Sequence, residues 1–184
     1  AVCLHYALFN PSKTVTIFAN KADTSREILN KITVGLENLP FFLQPGVKNY
    51  NKGSIEFDNG SRILSFATTS SSARSYSASL VYLDEFAWVD NDVEFYTSVY
   101  PIISSGKTSK VIISSTPNGL NLFYKLWTDA KNKRNDFVPI EVFWWEVPGR
   151  DEEWKRKTIQ NTSERQFEQE FGCKFLGSNG TLIP

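Results

Sequence analysis

The sequence predicts an α/β fold: a mostly parallel sheet flanked by helices, with an antiparallel hairpin added to it. Three observations point there. β-Branched and apolar runs alternate along the chain with segments of helical periodicity. Leu-Val-Tyr-Leu at 80–83 and Val-Ile-Ile-Ser at 111–114 are almost continuously apolar, as strands covered on both faces are. Between two short strand-like runs stands Asp58-Asn59-Gly60, a hairpin turn signal.

The opening stretch AVCLHYALF reads as an apolar helix entered part-way, and with no Met anywhere the chain is expected to be an internal fragment. TVTIFA at 14–19 is β-branched and fits a buried strand. Thr24-Ser25-Arg26-Glu27 has capping-box spacing, and Ile28, Ile32, Leu36 and Leu39 recur at helical intervals. A helix is therefore expected over 24–39, stopped by Pro40. Strands follow at 53–58 and 61–67. Thr68 to Ser79, rich in Ser, Thr and Ala and carrying Arg74, is a loop leading into the strand at 80–83. A helix over 92–104, a strand at 110–115 and the break Thr116-Pro117-Asn118-Gly119 come next. Leu122, Phe123, Leu126 and Trp127 share one face of a further helix. A strand at 137–145, helices at 151–160 and 164–170, and a last strand near 173–176 complete the expectation. Ser163-Glu164-Arg165-Gln166 again has capping-box spacing.

Length and composition fit one ordered globular domain: 184 residues, 41% hydrophobic and 14% aromatic. The 20 Lys and Arg are balanced by 20 acids, so no global basic grip on nucleic acid is visible. Lys107 with Lys110, Lys131 with Lys133 and Arg134, and Lys155-Arg156-Lys157 read as solvated faces. Phe143-Trp144-Trp145 and Trp154 fit a packed subdomain or a subunit contact better than stacking on bases. No apolar run approaches the roughly 20 residues of a membrane span. Cys3 and Cys173 lack CxxC spacing and are expected as reduced thiols of an intracellular chain. His5 is the only histidine, so a His-based metal site or a Ser-His-Asp triad has almost nothing to build with.

In open parallel sheets, ligands bind at the carboxyl ends of the strands. Asp84 and Glu85 stand at one such end, where successive residues point in different directions. One carboxylate can hold Mg²⁺, directly or through water. The other can orient, or accept a proton from, a water attacking a γ-phosphate. This is the Walker B pattern of nucleotide hydrolases, although a strand ending in solvated charges has the same residues. Ser114-Ser115-Thr116 end a second buried strand, where hydroxyls can bond a phosphate oxygen or a water; an ordinary helix cap is the alternative. If the two strands are neighbours, the acids and hydroxyls face one ligand, and jointly they favour a nucleotide hydrolase. Arg74 either brings a guanidinium to a phosphoryl group or is a surface arginine.

FFLQPGVKNYNKGSIEFDNGS, LVYLDEFAWV, PIISSGKTSKVIISSTPNGLNLFYKLW and GSNGTLI, in this order, closely resemble the ATPase domain of the large terminase subunit of T4-like tailed bacteriophages. The resemblance covers nearly the whole chain. It implies a RecA-like nucleoside-triphosphatase sheet and a parent that uses ATP and Mg²⁺ to drive double-stranded DNA into an empty procapsid. A separate nuclease domain follows in that family. The resemblance also implies roles for single residues: Asp84 as the Mg²⁺-binding acid, Glu85 as the catalytic glutamate, and Ser114, Ser115 and Thr116 as the coupling motif at the nucleotide. Arg74 matches an arginine that acts on a neighbour's nucleotide, although Ser75 stands where a glycine usually follows. As partners it implies the portal protein, the small terminase subunit and further copies in a homo-oligomeric ring. It implies no membrane, and a place in the host cytoplasm with transient docking on the procapsid.

One departure stands out: no GxxxxGK[ST] stretch, the phosphate-cradling loop, occurs in the sequence. In the family that loop immediately precedes the helix whose remainder is Val2 to Phe9. The chain is therefore expected to be a partial ATPase domain, lacking the Walker A loop upstream and the nuclease domain downstream. Alone it should bind ATP poorly and hydrolyse it negligibly. A helicase-like ATPase and a non-catalytic assembly module that keeps the fold are the competing readings. Ser115-Thr116-Pro117-Asn118-Gly119, where a helicase carries Ser-Ala-Thr, speaks against the first.

Overall fold

The computed structural model describes residues 1–69, 77–104, 106 and 108–177. They fall into two compact units, Ala1–Ser114 and Ser115–Pro184. The first holds a six-stranded sheet with strands β1 (Thr14–Ala19), β2 (Val47–Asn51), β3 (Ser54–Phe57), β4 (Arg62–Ala67), β5 (Leu80–Leu83) and β6 (Lys110–Ile113). Their spatial order is β2-β3-β4-β1-β5-β6. β4, β1, β5 and β6 run parallel, and β2 and β3 join as antiparallel neighbours at one side. Helices α1 (Val2–Phe9), α2 (Ala22–Glu37) and α3 (Asp92–Ser104) complete this unit.

Strand β1 is central and covered on both faces. Val15 and Ile17 join Leu4 and Ala7 of α1 and Leu29, Ile32 and Leu36 of α2 in one core. Phe18 points the opposite way, because alternate residues of a strand face opposite sides, and meets Phe95 of α3 edge-on at 5.4 Å. This two-sided cover explains why β1 and β5 are mostly apolar rather than alternating, with every residue buried but the half-buried Thr14 and Tyr82. Ile17, Phe18, Leu80 and Val81 are each at most 1% exposed; every such side chain contributes on the order of 1.5–3 kcal/mol by leaving water. The β3–β4 turn is the expected one, with Gly60 at φ 79°. Its Asn59 amide also donates to the Ala7 and Leu8 carbonyls at 2.9 and 3.1 Å, satisfying the last turn of α1.

Two features of this unit differ from the sequence expectation. α2 starts at Ala22 with Lys21 at its N-cap and no side-chain cap, so Thr24 and Glu27 lie inside the helix and form no capping box. Asp23 in the first turn complements the positive end of the helix dipole instead. β2 was not expected at all. Every one of its residues is exposed, so no alternation marks it, and its pairing with β3 defines it.

The second unit contains α4 (Leu122–Lys131), α5 (Glu152–Asn161) and α6 (Glu164–Glu170). The side chains of Asn121, Asp151 and Ser163 cap their N-termini, so Ser163 occupies the capping position its spacing suggested. α5 and α6 pack together around Trp144, Trp154, Phe167 and Phe171. The Arg150 guanidinium lies 4.8 Å over the Trp154 ring. These aromatics therefore form a small core, the packed-subdomain alternative.

The strand expected at 137–145 is not present. Residues 137–143 form no strand or helix, and Trp144–Glu146 is a 3-10 turn. Val138, Ile140 and Val142 are 83, 77 and 59% exposed, Pro139 has no N–H to give, and the Trp144 N–H bonds to the Phe171 carbonyl. The strand expected near 173–176 is also not present. Cys173 turns the chain at φ 54°, and the Lys174 N–H bonds to the Glu168 carbonyl in α6.

Candidate functional site

The ladder between β5 and β1 continues one residue past Leu83, because the Asp84 N–H donates to the Phe18 carbonyl at 2.8 Å. β5 and β6 pair with Leu83 opposite Ile113, and the Ser114 N–H donates to the Leu83 carbonyl at 2.9 Å. That register brings Asp84 and Ser114 together at the carboxyl ends of neighbouring parallel strands, where such sheets bind ligands. Ser114 Oγ donates to Asp84 Oδ1 at 3.1 Å. The sequence reading overlooked Tyr82. Its hydroxyl donates to Asp84 Oδ1 at 2.7 Å and lies 2.8 Å from Ser114 Oγ. The signal was available: residues two apart on a strand share a face, so a tyrosine two before a strand-end acid projects beside it. Burial pushes the Tyr82 phenol well above its ordinary range, with the Ser114 hydrogen bond opposing and Asp84 reinforcing the shift. Tyr82 therefore stays a neutral donor.

Glu85 follows with φ 49° and ψ 44°, a left-handed conformation that costs a non-glycine residue of order 1–3 kcal/mol. It is held there from both sides. Phe86, fully buried, donates its N–H to the Ser114 carbonyl at 3.2 Å and opens the 3-10 turn Phe86–Trp88. Two adjacent acids are thus set on different courses, Asp84 continuing the strand and Glu85 leaving it.

Asp84 and Tyr82 open onto a groove of about 400 Å³, together with Ile112 of β6, Lys31 and Ile32 of α2, and the first residues of α1. Cys3 of α1 also lines it, and burial raises its thiol to about 11. No group of three or more His, Cys, Asp or Glu side chains among the described residues is arranged to hold a metal. The oxygens of Asp84 and Ser114 are the donor type that Mg²⁺ takes, and Mg²⁺ needs only one or two carboxylates beside water and phosphate. Of the other candidates, Ser115 and Thr116 belong to the second unit and are half-buried there. Arg74 and Lys107 lie outside the described residues, as do residues 178–183 of the closing GSNGTLI. Three of the basic side chains are matched by nearby acids: Lys131 with Glu141, Arg134 with Asp129 and Lys157 with Glu153. No helix among the described residues is long and apolar enough to cross a membrane. Both cysteines are free.

A family model described as terminase large subunit, T4likevirus-type, N-terminal, matches residues 1–184. Among solved structures, the large terminase ATPase domain of Thermus phage P74-26 is similar with a TM-score of 0.71 at 20% identity, over 93% of this chain and 80% of that one. The large terminase of a thermophilic bacteriophage in complex with ADP gives 0.73 at 12% identity, over 94% and 43%. The HK97 bacteriophage large terminase gives 0.71 at 14%, over 95% and 43%. At such identities the likeness is one of fold. This chain thus spans most of the Thermus phage ATPase domain but less than half of the other two terminases.

Proposed function

We propose, from the premise that this chain belongs to the T4-like-virus-type terminase large subunit family and spans its N-terminal part, that it is the hydrolytic core of a DNA-packaging motor. The chain has the mixed α/β fold of a terminase ATPase domain. In the proposed function the parent protein hydrolyses ATP and uses the energy to move double-stranded DNA into a procapsid. The observation that carries this reading is the meeting of Asp84, which lines the groove, with Ser114 at the carboxyl ends of β5 and β6.

In this reading Asp84 holds Mg²⁺, and Glu85 orients and deprotonates the attacking water. Mg²⁺, when bound, neutralises charge developing on the phosphates. Ser114, Ser115 and Thr116 couple the state of the nucleotide to movement of the chain that follows β6. Arg74 acts on the nucleotide of a neighbouring subunit; mixing Arg74→Ala with Glu85→Gln subunits tests this, because a role in trans requires activity to return in the mixture. Since no GxxxxGK[ST] stretch occurs in the 184 residues, the reading requires the parent to supply the phosphate loop, and this chain alone to turn over ATP negligibly. The double-stranded DNA, the portal protein, the small terminase subunit and the other copies of a ring are the partners it requires, in the host cytoplasm.

The deciding experiment is ATP turnover by the full-length parent and its Glu85→Gln variant. Turnover in the parent and none in the variant, with nucleotide affinity largely retained, is the expected result. A parent without ATPase activity removes the motor and favours an assembly module. A variant that still turns over ATP removes Glu85 from its role.

A further inference from the structure

We propose that Tyr82 is a positioning residue, which fixes the Asp84 carboxylate and ties it to Ser114. This inference deepens the nucleotide site proposed above and rests on it. The three oxygens form a triangle: Tyr82 hydroxyl to Asp84 Oδ1 2.7 Å, Tyr82 hydroxyl to Ser114 Oγ 2.8 Å, and Ser114 Oγ to Asp84 Oδ1 3.1 Å. An ionised carboxylate brings no proton, so three contacts share the two hydroxyl protons. Tyr82 gives its proton to Asp84 along the shortest side. The Ser114 proton then has two acceptors, Asp84 and Tyr82, and rotation about one bond moves it between them.

That geometry has two consequences. The terminal torsion of an aspartate is broad, so an unsupported carboxylate samples many orientations, and the Tyr82 hydroxyl holds this one in place. A cation drawing on Oδ1 weakens that oxygen as an acceptor and turns the Ser114 hydroxyl towards Tyr82. Ser114 begins the hydroxyl trio that ends β6, so occupancy at Asp84 is felt where the chain leaves the sheet. A phenylalanine would fill the same space in the apolar run but supply neither effect. Outer-shell partners of this kind change metal affinity by roughly 10–100-fold.

The test uses Tyr82→Phe in the full-length parent, with Mg²⁺ and ADP as probes and thermal unfolding as the readout. The Mg²⁺ concentration that half-saturates the ADP-dependent rise in melting temperature should increase about tenfold. The rise given by ADP without metal, read from each protein's own unliganded melting temperature, should be unchanged. Ser114→Ala should give a smaller shift, and the double variant little more than Tyr82→Phe, because both act on one carboxylate. An unchanged Mg²⁺ dependence in Tyr82→Phe overturns the inference and leaves the proposed function standing. A parent with neither a nucleotide-dependent shift nor turnover overturns both. Should Tyr82→Phe not fold, the Tyr82 hydroxyl proton of the wild-type protein decides by NMR. A slowly exchanging resonance displaced by Mg²⁺ alone supports the inference, and a rapidly exchanging one overturns it.

Discussion

Ser114 Oγ donates to Asp84 Oδ1 across 3.1 Å, joining two strand ends that are 30 residues apart in sequence. Parallel pairing makes this possible. All four parallel strands deliver their carboxyl ends to one edge of the sheet, so residues that follow neighbouring strands meet there. The register is equally necessary. A slip of one residue in β5 would turn Tyr82 and Asp84 to the opposite face, away from α2 and the groove. The apolar residues of β5 therefore do two things: they bury the strand, and they aim its terminal acid.

The left-handed backbone at Glu85 predicts opposed effects on stability and turnover. Glycine adopts φ 49° without steric cost, so Glu85→Gly relieves strain, less the greater entropy glycine loses on folding. A net gain of about 0.5–1 kcal/mol in unfolding free energy is expected for Glu85→Gly. Glu85→Gln keeps the strain and should leave stability within about 0.5 kcal/mol of the parent chain. Both should lose turnover in the full-length protein. Denaturant titration of the three proteins checks this, and an unstabilised glycine variant would mean that the Glu85 side chain compensates its own strain.

How much of this was legible in the sequence follows from how each element is stabilised. β1 and β5 are largely apolar because helices cover them, and they read correctly. β6 was placed correctly too, but it pairs only with β5 among the described residues and is half-buried or exposed along its length, not covered on both faces. β2 gains its identity from hydrogen bonds to β3, which composition does not record. The run at 137–143 has the β-branched character of a strand, but its backbone finds no ladder among the described residues. Asp84 and Ser114 were readable as chemistry because acids and hydroxyls are unusual after apolar runs. Their meeting was only a condition, since strand adjacency is a tertiary fact. Tyr82 was passed over because a tyrosine in an apolar strand reads as core. Its hydroxyl gains significance only beside the neighbouring strand.

Thr116→Ala tests the coupling assigned to the hydroxyl trio. In the full-length protein, the number of base pairs moved per ATP hydrolysed should fall severalfold while nucleotide affinity stays close to the parent value. Packaging assays run alongside ATPase measurements give that ratio directly. A defect confined to affinity would make Thr116 a binding residue and no more.

Cys3 gives a pH dependence with a definite sign. Burial raises its thiol from an ordinary value of 9.0 to about 11, so the folded chain keeps a proton that the unfolded chain releases. Stability that rests on the neutral thiol is complete below about pH 9 and is lost as pH rises towards 11. Comparison with Cys3→Ala isolates the thiol together with its charge's effect on the Tyr82 phenol, the least of the causes that raise that group. The stability advantage of the cysteine over the alanine should shrink by on the order of 2–3 kcal/mol between pH 8 and pH 11. A constant difference would show that Cys3 ionises in the fold as readily as in the unfolded chain.

Thr16 carries the last prediction. It sits in the middle of β1, opposite Leu64 of β4 and Val81 of β5, and is 1% exposed. Its Oγ1 has no hydrogen-bond partner among the described residues. A buried hydroxyl without a partner retains the cost of leaving water, about 1–3 kcal/mol, with nothing to offset it. Valine has the same branched shape and an equal or better fit to a strand, so Thr16→Val should stabilise the fold by about 1 kcal/mol. The urea midpoint should rise with no change in the slope, since the surface exposed on unfolding is the same. Thr16→Ser is the control: it keeps the hydroxyl and deletes the methyl, so it should destabilise by about 1 kcal/mol. If valine destabilises instead, the Thr16 hydroxyl has a partner in solution, and β1 holds a polar contact inside the sheet core.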